Sequence, residues 1–115
     1  MANDFKNAFA QNVSNAAGGT TIYTTPATKT SIMLELDIAN TTQNVVEASV
    51  EILDSSVSAS AWRFLVKNAP VPSGGSLMVI AGQKIVLEAG DKVRVTSSAA
   101  SVMDAVAAIL EDVNS

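Results

Sequence analysis

The chain reads as all-β: a single-domain antiparallel β-sandwich spanning residues 1–115, jelly-roll-like in form, with about eight or nine short strands. Three observations predict it. Residues 65–98 alternate short apolar runs with tight Pro/Gly corners, first at 70–75 (Pro-Val-Pro-Ser-Gly-Gly) and again at Ala89-Gly90-Asp91. Residues 30–40 and 44–54 each carry a two-residue apolar period. The apolar residues, 48% of the chain, are mostly Val, Ile, Leu and Ala, which suit a pleated core.

Along the chain, Phe5, Ala8, Phe9 and Asn12 fit a helical spacing, while Phe5, Asn7, Phe9, Gln11 and Val13 fit a strand. Residues 1–20 thus form a candidate N-terminal arm, with a turn or flexible hinge at Gly18-Gly19. Residues 21–25 make a short strand ended by Pro26. Residues 30–40 and 44–54 are expected to pair as an antiparallel hairpin around Thr42. That register opposes Ile38 with Val46, Leu36 with Ala48, Leu34 with Val50 and Ile32 with Ile52, all facing inward. After a serine-rich loop at 55–60 comes a strand at 61–67, with Trp62, Phe64 and Val66 on one face and Arg63, Leu65 and Lys67 on the other. Residues 69–75 cross between sheets, and 77–80, 84–87 and 92–97 are three further strands, the first two separated by Ala81-Gly82-Gln83. The last run, 101–113, fits a helix through Val102, Val106, Ile109, Leu110 and Val113, and a strand through Val102, Asp104, Val106, Ala108 and Leu110. A strand is the expectation there.

Composition excludes several chemistries. The chain has no histidine and no cysteine, so Ser-His-Asp and Cys-His nucleophilic sites and thiolate or imidazole metal sites are unavailable. Its net charge of -4, with cations scattered along the chain, argues against nucleic-acid binding. No run approaches the roughly 20 apolar residues of a membrane span, and polar residues from Asn3 to Asn12 interrupt any signal-peptide core, so a soluble, non-exported protein is expected. The glycines at 74–75 and 90 lack the spacing of phosphate loops and read as turn residues. No catalytic residue, cofactor or metal site is expected, and the chain is read as non-enzymatic.

The candidate functional residues are therefore interaction residues. Phe5 and Phe9 either close one edge of the core or insert into a neighbouring subunit. In the expected hairpin Asp37 lies opposite Glu47 on an outward face that also carries Glu35 and Glu51, and like charges directly across a ladder repel. A solvated acidic face, a cationic neighbour or a calcium ion would each relieve this, although no ordered calcium loop is present. Trp62 is either a core anchor with its indole nitrogen bonded to backbone or, with Arg63, an interface hot spot.

The wording of the 65–98 stretch and the Ala2-Asn3-Asp4-Phe5-Lys6-Asn7-Ala8 opening resemble a group of small all-β virion proteins of tailed bacteriophages, cyanophages among them. The resemblance covers most of the chain and names no active site. It implies a structural virion subunit that contacts phage capsid or tail proteins and forms a homo-oligomer in the assembled particle. An accessory head protein, decoration or cement, is the first placement; neck, tail-surface or fibre-associated placement is the alternative. A free-standing carbohydrate- or calcium-binding β-sandwich module is the contrasting class.

Overall fold

The computed structural model describes residues 4–58 and 60–111. Among these residues eight strands form: β1 (Asp4–Ala10), β2 (Thr20–Thr24), β3 (Ser31–Asn40), β4 (Val46–Leu53), β5 (Trp62–Val71), β6 (Ser76–Leu87), β7 (Lys92–Ser97) and β8 (Met103–Glu111). They make two four-stranded sheets, β1-β8-β3-β6 and β2-β7-β4-β5, with every neighbouring pair antiparallel. At every connection except β4 to β5 the chain changes sheet. This interleaving is the jelly-roll order, so the predicted β-sandwich stands. The last run is a strand over Met103–Glu111, while Asp112 and Val113 lie outside the described residues, as do Met1, Ala2, Asn3 and Ala59.

One buried cluster fills the space between the sheets. It includes Met33, Leu36 and Ile38 from β3, Val46, Ala48 and Val50 from β4, Val93 and Val95 from β7, and Met103, Ala105, Ala107 and Ile109 from β8. Val13, between β1 and β2, is also fully buried and its N–H donates to Met103 O.

The expected hairpin is corrected by this topology. β3 pairs with β6 and β8, β4 pairs with β5 and β7, and the two strands belong to different sheets. Their inward residues meet across the core instead of along a ladder. Matching periodicity says which way side chains point, and two strands facing one another across a sandwich have the same pattern as two arms of a hairpin. Asn40 directs the crossing. Its buried side chain donates to Asn44 O at 2.7 Å and Val71 O at 3.0 Å and accepts from Thr42 N and Oγ1.

Bulges account for the other departures. In β3 the register shifts between Met33 and Glu35, so Ser31 and Met33 face inward with Leu36 and Ile38, and Ile32 turns outward. The gap expected at 81–83 is part of one continuous strand, β6, whose irregular pairing with β3 absorbs it. In β5 the register shift brings Leu65 and Val66 against the core and leaves Phe64 exposed. Pro70 lies within β5, an edge strand, the place in a sheet where proline is tolerated. In β8 the buried set is Met103, Ala105, Ala107 and Ile109, the parity opposite to the one expected.

The segment expected to reorient as an arm is the edge strand β1, laid against β8 from Asp4↔Glu111 to Ala10↔Ala105. Gly18 and Gly19 form a turn. Both have left-handed φ, and a Cβ at Gly19 would run into Val95 O on β7.

Candidate interaction surface

Pairing partners in antiparallel strands project to the same side, so register alone maps the outer face of the β1-β8-β3-β6 sheet. One row across it is Phe5, Leu110, Ile32 and Val86. The next is Asn7, Ala108 and Glu35, and the third is Phe9, Val106, Asp37 and Met78. The face is therefore mostly apolar, with an acidic residue on β3 in each of two rows. Its large side chains are open to solvent: Phe5 is 78% exposed, Phe9 67%, Met78 64%, Val86 61% and Val106 44%. An apolar set of this size, gathered onto one face, makes that face the candidate interaction surface.

Asp37 sits in the third row between Val106 and Met78. Its Oδ1 is buried and has no hydrogen-bond partner. Glu47 is on the other sheet, beside Pro70, so the expected opposition of Asp37 and Glu47 does not exist. The Glu47 backbone instead exchanges hydrogen bonds with Ser98, accepting from its N–H and donating to its Oγ.

On the opposite outer face, that of the β2-β7-β4-β5 sheet, Arg94, Glu51 and Trp62 satisfy one another. Arg94 donates from Nε and Nη2 to the two Glu51 carboxylate oxygens at 3.0 and 3.1 Å, a bidentate pair. Its guanidinium carbon stands 3.8 Å from the centre of the Trp62 ring. Trp62 is thus half-buried on the outside of the sheet and takes no part in the buried core, which overturns the core-anchor reading. Arg63 is exposed and its guanidinium donates to Trp62 O at 3.3 Å, while Lys67 lies over the Phe64 ring at 5.2 Å.

Sequence reasoning missed a polar cluster at one end of the sandwich. Glu111, buried at the end of β8, accepts from the Tyr23 hydroxyl at 2.5 Å and pairs with Lys6 at 3.1 Å and Lys29 at 3.7 Å. Ser31 Oγ is 2.9 Å from the same hydroxyl. The Tyr23 bond, aided by both lysines, holds the Glu111 carboxyl below its ordinary range although burial opposes this. Burial and the carboxylate beside it push Tyr23 up to about 12. The cluster ties β1, β2, β8 and the segment before β3 together. The one legible clue was parity, since Glu111 continues the inward series Met103, Ala105, Ala107, Ile109.

Among the described residues no enclosed pocket exists, and no group of His, Cys, Asp or Glu is placed to hold a metal. Set against known protein families, characterised proteins and solved structures, the chain matches none.

Proposed function

We propose that this protein is a non-enzymatic structural subunit of a tailed-phage virion, an accessory head protein of the decoration or cement kind. It works by repetitive association with itself and with a larger shell or tail protein. The observation that carries the association role is the exposed apolar face formed by Phe5, Phe9, Met78, Val86 and Val106. The virion context rests on the resemblance of the opening and of the 65–98 stretch. Jelly rolls serve capsid and sugar-binding proteins alike, so the fold admits the role without choosing it. Many modest contacts in a symmetric particle raise effective concentration and retain a subunit that binds weakly at any single site.

Immunogold labelling of purified particles against a tag on this chain tests the reading. Regularly spaced label on the head is expected. Label confined to the neck, tail or fibres moves the placement, and recovery of the chain only in the particle-free fraction overturns the virion role.

A further inference from the structure

We propose that the outer face of the β1-β8-β3-β6 sheet docks a different protein, through a surface that sets one arginine or lysine among apolar side chains, with Asp37 as its acceptor. This inference rests on the association role proposed above and specifies the chemistry of the partner.

Size comes first. Four strands about 4.8 Å apart and roughly 30 Å long present roughly 600 Å², close to the roughly 800 Å² that each partner contributes to a standard interface. The face can fill one such contact by itself. Charge comes second. Its ionisable groups are Glu35, Asp37 and Asp104 against Lys84, which shares the exposed parity of Val86 on β6. Lys6, on the neighbouring edge, is already committed to Glu111. A second copy of the chain would therefore bring three carboxylates for each ammonium, and self-pairing would concentrate negative charge in the contact. Asp37 decides the polarity. Asp104 accepts from Asn12 N at 3.0 Å, whereas Asp37 Oδ1 is covered and unpaired between Val106 and Met78. A half-buried carboxylate with one oxygen covered and undonated is poorly compensated in the free protein, and a guanidinium or ammonium ringed by apolar groups compensates it from the open side of the group without breaking the apolar contact.

The test uses the full chain with isotope-labelled Met, Val, Leu and Ile methyls. It is titrated with a synthetic amphipathic helix carrying one Arg inside a leucine stripe, and with the same peptide carrying Glu there. Shifts confined to Ile32, Met78, Val86, Val106 and Leu110, with the Arg peptide binding at least fivefold tighter, are expected. Asp37→Asn, its fold checked by the same spectrum, should abolish that preference and keep the apolar binding. No shifts up to millimolar peptide, or a preference that survives Asp37→Asn, overturns the proposal. So does movement of these methyls with protein concentration alone, which would make the occupant a second copy. The titration needs no particles: a positive result beside unlabelled virions removes the virion role and keeps the docking face, and labelled virions beside a negative titration do the reverse.

Discussion

Because the Glu111 carboxyl accepts from Tyr23 and faces Lys6 and Lys29, its pKa falls on folding, and that of Tyr23 rises to about 12 from 10.0. A carboxyl lowered by folding stabilises the native state above its unfolded pKa, and the contribution drains away as pH drops through the folded value. A phenol raised by folding contributes below its unfolded pKa and loses this as pH climbs from 10 through 12. Melting temperature should therefore fall at both extremes. Tyr23→Phe should flatten the alkaline limb and cost about 1–3 kcal/mol at neutral pH, because buried Glu111 loses a donor. An unchanged alkaline limb would show that another group titrates there. The glycines offer a second contrast at this scale. Gly19→Ala drives a Cβ into the Val95 carbonyl in addition to its φ of 56°, whereas Gly74, with φ 64°, has nothing within 4 Å of a Cβ. Gly74→Ala should lose only the backbone term, about 1–2 kcal/mol, and Gly19→Ala clearly more, as read from urea midpoints.

At the scale of elements, β3 is the informative strand, because its bulge reverses the parity of its first half. Met33→Ala should cost about 2–5 kcal/mol, as should Leu36→Ala, since both side chains are fully buried. Ile32→Ala, on the outer face, should cost less, and Glu35→Gln should stay within about 0.5 kcal/mol. Equal losses at Ile32 and Met33 would remove the bulge. For β1 the ladder to β8 implies that deleting residues 2–12 lowers the melting temperature: it takes away Ala10 and the Lys6 to Glu111 pair and exposes β8 as a bare edge. A truncated chain as stable as the intact one would mean that β1 contributes nothing to its own fold.

For the whole molecule, the two outer faces predict opposite mutational behaviour. On the β1-β8-β3-β6 face, Phe5→Ser with Phe9→Ser should change stability by less than about 1 kcal/mol in total, since both rings are exposed, yet reduce retention on particles. Normal retention of the double variant would shift the contact to another surface. On the opposite face, Trp62→Ala should destabilise the free protein, because Arg94 loses the ring it stacks on.

The amino-acid sequence by itself determined the sandwich class, the turns at Gly74 and Gly90, the absence of imidazole and thiol chemistry, and most strand positions. These follow from local properties: a two-residue period, turn chemistry and composition each act within a few residues. Only the tertiary structure decided which strand pairs with which. Residues 30–40 and 44–54 have a pattern equally suited to a hairpin and to facing strands, and the Asn40 crossing that separates them depends on Val71. Parity failed wherever a bulge intervened, at Leu34 and Leu65, and in β8, where Val106, Ala108 and Leu110 make the outer face apolar too. The Tyr23, Lys6, Lys29 and Glu111 cluster and the Arg94 stack on Trp62 join residues far apart in the chain. Contacts of that kind exist only once two sheets have been laid in order, and no short-range pattern encodes them.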